Sequence, residues 1–211
     1  MMRTKHRAGL RAAIIVVAVG CLVGLHSALA AAAAAGSYQA SDAGEPLIAA
    51  YGDGIGTQLL DGSVGAEWSD SAVYVVRMGD YEAELRLKHD GVWFYVAMTI
   101  RSGEFFAAGF EAYVVFDNED GQEYSRGDDM MSVSAAQGQL LDADYYYRNT
   151  FDFVLDVQSA GASHAVGAGA YDSASRCYVF EFRREIASGD DRDVPMDLAG
   201  ASATTYGWAS Y

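Results

Sequence analysis

Between an apolar stretch, Tyr113 to Phe116, and the return of apolar residues at Met130, the chain sets Asp117, Asn118, Glu119, Asp120, Gly121, Gly127, Asp128 and Asp129. Carboxylates and an amide oxygen at this density are the donors calcium takes, since that ion gathers six to eight hard oxygens. Asp117, Asn118, Asp120, Asp128 and Asp129 are therefore the calcium ligands to expect if the loop holds an ion. The spacing is not that of an EF-hand, because Phe116 falls on the first ligand position when Gly121 is aligned with the loop glycine. The loop reads as a connection between two core strands at one end of the fold. Its acidic residues solvate it, with calcium as the sharper alternative.

Other chemistries find fewer residues. The chain has no G-x-S-x-G elbow, no H-E-x-x-H, no P-loop and no dinucleotide fingerprint. It has no C-x-x-C-H for a c-type haem. No pair of carboxylates is singled out for glycoside hydrolysis, and the chain reads as non-catalytic. Haem b needs an apolar slot and one or two axial ligands, commonly His or Met. Beyond residue 30 the sequence offers Met78, Met98, Met130, Met131 and Met196, with His89, His164 and Lys88. With only two histidines there, a histidine-rich metal centre is excluded.

Residues 1–30 read as a secretory signal peptide: Arg3, Lys5, Arg7 and Arg11, an apolar run from Ala12 to Leu25, then Ala28-Leu29-Ala30 as a small-x-small cleavage site. An uncleaved anchor is the alternative. Cleavage leaves no membrane span and places the protein outside the cytoplasm, secreted, periplasmic or on the cell surface. It also leaves ten Lys and Arg against 29 Asp and Glu, a formal net charge of −19. So acidic a surface repels nucleic acid and attracts cations. Together with scarce lysine it suggests a high-salt habitat, where screening relieves self-repulsion. Cys177, the one cysteine left, reads as a buried thiol within an alternating strand.

These residues must be positioned by strands. Residues 31–45 are small, polar and without period, a flexible lead-in. From residue 46 to 211 short β-patterns follow one another between Gly, Asp, Asn and Ser. They are 72–78, the hairpin 81–100 turning at Asp90-Gly91, 110–116, "MMSVSA", "DADYYYR", "FDFVLDV", "SHAVGAGAY" and "CYVFEFRREI". No stretch of ten or more residues keeps a 3.6-residue period. The pattern predicts one all-β domain, an antiparallel β-sandwich of immunoglobulin or jelly-roll type. Tyrosines at alternating strand positions either form a binding platform or cap an exposed sheet face.

Three stretches stand out: "LLDGSVGAEWSDSA" (59–72), the hairpin "LKHDGVWFYVAMTI" (87–100) and the closing "YVFEFRREIASGDDRDVPMDLAG" (178–200). Together they resemble the DOMON-like and family 9 carbohydrate-binding-like sandwiches. The nearest branch is the cytochrome c-552 and dimethyl-sulfoxide-reductase type of haem-binding domain. The resemblance implies a secreted, non-catalytic module that binds haem b and serves electron transfer or a redox partner protein. It places the axial methionine after the strand at 110–116, at Met130 or Met131, with His89 as a further axial candidate. The sugar-binding branch implies instead a small-molecule or polysaccharide ligand stacked on aromatic rings such as Trp68, Trp93 and Tyr146, with Trp68, and likewise Trp93, better read as a core plug. A structural cell-surface domain is the third reading.

Overall fold

The computed structural model describes residues 13–20, 39–40, 49–78, 81–102, 110–117, 126–136, 139–149, 152–196 and 207–208. Two sheets pack face to face, as the alternating strands require. In chain order the strands are β1 (Ala13–Gly20), β2 (Gln39–Ala40), β3 (Ala50–Tyr51), β4 (Ala72–Met78), β5 (Tyr81–His89), β6 (Trp93–Arg101) and β7 (Phe110–Asp117). They continue with β8 (Asp129–Ala136), β9 (Gln139–Asn149), β10 (Asp152–Leu155), β11 (Ala165–Asp172), β12 (Cys177–Glu185) and β13 (Gly207–Trp208). Among the described residues the remaining regular structure is three short 3₁₀ turns. None is long and apolar enough to be a membrane-crossing helix.

One sheet runs β1-β7-β8-β9-β10, a meander from β7 onward; the other runs β11-β12-β6-β5, with β4 and the short β3 sharing the outer edge of β5. β1 lies within the run read as the leader, antiparallel to β7 with Ala13 opposite Asp117. Removing residues 1–30 takes β1 away and passes the sheet edge to β7. The hairpin at 81–100 forms as its turn chemistry demands. Gly91 takes φ +91°, a left-handed conformation glycine adopts without strain, and the Asp90 carboxylate accepts the backbone N–H groups of Val92 and Trp93.

The two-residue period sorts side chains between faces. Leu85 and Leu87 of β5, Val96 and Met98 of β6, Val114 and Phe116 of β7, Met131 and Val133 of β8, and Phe180 and Phe182 of β12 fill the space between the sheets. β11 presses close to β8 because it has glycines there. A Cβ on Gly167 would stand 2.1 Å from Val133 Cγ2, and one on Gly169 3.1 Å from Val133 Cγ1. That close approach brings the residues just before β11 against the β8–β9 strands.

The chain from Gly52 to Asp70 lies on the outer face of the second sheet, where Ile55, Leu60 and Trp68 pack with Tyr95, Ala97 and Ala168. Trp68 is the expected core plug, fully buried. Its Nε1–H donates to Glu181 Oε1 at 2.7 Å, while Glu181 Oε2 accepts the N–H groups of Asp61 and Gly62 at 2.8 and 2.7 Å. One outward carboxylate of β12 thereby satisfies three donors of the strap. Glu181→Gln must turn an NH₂ toward one of these donors. It is expected to destabilise by about 1–3 kcal/mol, read as a lower denaturation midpoint at unchanged m-value. Lys88, equally buried, donates to Glu67 O and pairs with Asp70 at 2.7 Å. Cys177 is buried, as its place in the strand indicates.

Candidate functional site

Where β8 and β11 begin and β10 and β12 finish, the space between the sheets changes from apolar to acidic. Asp129 opens β8 in register with Phe116 and Tyr146, on the inward face it shares with Met131 and Val133. Asp144 of β9, opposite Met131, points inward by the same parity. Asp156 sits in the 3₁₀ turn that follows β10, and Asp193 in the segment after β12. Asp129, Asp144, Asp156 and Asp193 are all buried, the first and third completely.

Their counter-charge is Arg184, on the inward face of β12 next to Phe182. It is buried, its guanidinium lies 4.2 Å over the Phe116 ring, Nη1 pairs with Asp129, and Nη2 donates to Val194 O at 2.8 Å. His164, just before β11, contributes twice. Its backbone N–H and that of Ala165 donate to Asp144 Oδ2 at 2.6 and 3.1 Å. Its Nδ1 stands 2.9 Å from Asp193 Oδ2, off the direction a hydrogen bond requires. Donor atoms of Asp144, His164 and Asp193 all lie within 4.8 Å of one another, a grouping that could hold a metal ion.

Several of these oxygens have no hydrogen-bond partner. Asp144 Oδ1 and both oxygens of Asp156 and of Asp193 are buried in that state. Burial pushes the Asp156 carboxyl up to about 7, with the negative charge of Asp144 and Asp193 adding to it. Burial likewise raises Asp144, against the pull of the His164 N–H, and holds Asp129 well above the usual carboxylate range despite Arg184. Four carboxylates facing one guanidinium and one imidazole carry an excess of negative charge that a buried site cannot hold bare. Protons remove the charge, but a protonated Asp156 still needs an acceptor for its O–H. A cation neutralises the charge and takes the proton's place, so that no acceptor is needed.

Arg192 lies across the neighbouring loops. Its Nε donates to Ser159 O at 3.2 Å and its guanidinium lies 4.7 Å over the Tyr146 ring.

Among the described residues of the acidic run expected to bind calcium, Asp129 alone enters this cluster. Asp128 is buried beside it, Asp117 ends β7, and Asn118 and Asp120 lie outside the described residues. The expectation that these acids solvate a turn is corrected at Asp128 and Asp129. The strand begins one residue early enough to turn Asp129 into the core, where Arg184 receives it.

The haem candidates are dispersed. Met130 faces outward with Val115 and Tyr147, and the Tyr147 hydroxyl donates to its sulfur at 3.4 Å. Met131 faces inward into the core. His89 closes β5 in the other sheet, its Nδ1 buried without a hydrogen-bond partner and its ring edge-on to Tyr51 at 5.5 Å. Of the ring candidates, Trp93 carries the Arg183 guanidinium 4.2 Å above it, and Tyr146 is buried on the inward face opposite Asp129.

The residues that sequence reasoning missed are Asp144, Asp156, Arg184 and Asp193, drawn from four separate segments, while His164 was weighed only as a haem ligand. One signal was available. Arg184 continues the inward phase of Tyr178, Phe180 and Phe182, a charge where the alternation calls for an apolar side chain.

Fold and cluster together define a two-sheet all-β sandwich with a buried carboxylate site at one end. No family model and no curated protein matches the chain.

Proposed function

We propose that the protein is an exported, non-catalytic binding module whose sandwich end is built around a divalent cation. The observation that carries this reading is Asp156, fully buried with both carboxylate oxygens unpartnered, beside Asp144 and Asp193. Export rests on the leader pattern of residues 1–30, and the binding role accords with the resemblance to DOMON-like sandwiches. Haem b, which that resemblance implies, would have to choose between Met130 and Met131, whose side chains leave opposite faces of β8.

Cation binding to the native state alone stabilises it by mass action, about 2.7 kcal/mol at a hundredfold excess over Kd. Chelator is therefore expected to lower the melting temperature of the protein as isolated. Adding back a divalent ion restores it, and Asp156→Asn blunts the response. Identical melting curves in chelator and in millimolar calcium, manganese and zinc would sink the reading.

A carbohydrate or surface polymer is the second reading. It is favoured by the aromatic outer face of the first sheet, where Phe153 meets Tyr145 at 5.2 Å and Tyr147 at 5.6 Å. Retention on immobilised polysaccharide tests it.

A further inference from the structure

Resting on the cation reading above, we infer that the ion is a first-row divalent metal such as manganese or zinc, held by Asp144, His164 and Asp193, and not calcium. Three observations converge. The first is the nitrogen: calcium surrounds itself with oxygen, whereas imidazole suits transition ions and carboxylates suit manganese as well.

The second is spacing. Nδ1 of His164 and Oδ2 of Asp193 are 2.9 Å apart without hydrogen-bond alignment. Two ligands at right angles on a six-coordinate ion such as manganese, with bonds of about 2.1 Å, sit about 3.0 Å apart, and a tetrahedral zinc ion spreads them to about 3.4 Å. Calcium, with bonds of about 2.3–2.6 Å, spreads them to about 3.3–3.7 Å unless seven or eight oxygens crowd it. The cluster brings three donors within reach of one another, with Asp156 and the Arg184-paired Asp129 beside them.

The third is support around the ligands. Asp144 Oδ2 is fixed by two backbone N–H groups, which leaves Oδ1 buried and unpartnered for the ion. Hydrogen-bonded ligand carboxylates of this kind are how proteins orient a metal's inner ligands. His164 is therefore the ligand that selects the metal, while the carboxylates supply the charge.

The test is calorimetric titration of the chelator-stripped full chain with manganese, zinc and calcium chlorides separately, on wild type, His164→Ala, His164→Asn and Asp144→Asn. We expect one ion per chain and at least tenfold tighter binding of manganese or zinc than of calcium. Both His164 variants should bring that ratio to within about threefold of unity with calcium affinity little changed. Cobalt(II), added as a spectroscopic probe, should give visible bands in wild type that shift in both variants. Calcium binding as tightly as manganese and zinc, or a preference untouched by both His164 changes, overturns the metal assignment while leaving a cation site. Absence of binding by all three ions, with Asp144→Asn indistinguishable from wild type, overturns the cation reading itself and this inference with it.

Discussion

Arg184→Ala lowers the free energy of unfolding by about 3–5 kcal/mol, because it strips a buried carboxylate of its paired charge. The guanidinium is fully enclosed between Phe116, Asp129 and Val194. Its loss removes the ion pair with Asp129, leaves the Val194 carbonyl without a donor and opens a cavity against the Phe116 ring. Among the described charges it is the only arginine buried with the four aspartates, so no neighbour substitutes for it. Guanidinium chloride denaturation reads the effect directly. Replacing the pair together, as Arg184→Met with Asp129→Leu, should recover most of the loss, since well-packed apolar side chains often match or exceed a buried ion pair. A single-variant cost below about 1 kcal/mol would mean that the pair is hydrated, and the account of this end of the sandwich would fail.

In chelator the protein is expected to be most stable in mild acid and to weaken as the pH rises through neutrality. The sign follows from Asp156, whose carboxyl moves from an ordinary 3.8 to about 7 on folding. A native state that binds its proton more tightly than the unfolded chain is favoured wherever that proton is bound. The stabilisation is complete below about pH 4 and is lost between there and pH 7 as the folded-state carboxyl ionises. A shift of that size is worth on the order of 4 kcal/mol for this group taken alone. Asp144 is raised as well, so it acts in the same direction. Chemical denaturation at pH 5 and pH 8 measures the slope, and Asp156→Asn should flatten part of it. Adding the bound metal reverses the comparison, because an ion requires the ionised carboxylates. Equal stability at both pH values in chelator would show that the carboxylates do not share a dry site.

How much of this was legible in the chain differs between fold and site. The strand pattern follows from local chemistry: the alternation of Leu85 and Leu87 with Arg86 and Lys88, and the Asp90-Gly91 turn, need no distant partner. The burial of Trp68 and Cys177 could also be anticipated, since an aromatic plug and a lone thiol in an alternating strand are most stable inside. The site could not be read in the same way. A dense acidic run draws the eye to residues 117–129, yet among its described residues only the last reaches the cluster.

Asp144, Asp156, His164 and Asp193 are spread over 50 positions and look like ordinary polar residues beside strands. The pairing of β8 with β9 sets Asp129 and Asp144 on one inward face, and the close approach of β11 at Gly167 carries His164 to them. The sequence by itself determined which segments become strands and which faces they bury, because a two-residue period is a local property. Only the tertiary structure decided which carboxylates meet, because that depends on sheet order and on how near two sheets can approach, and neither is encoded in any one segment.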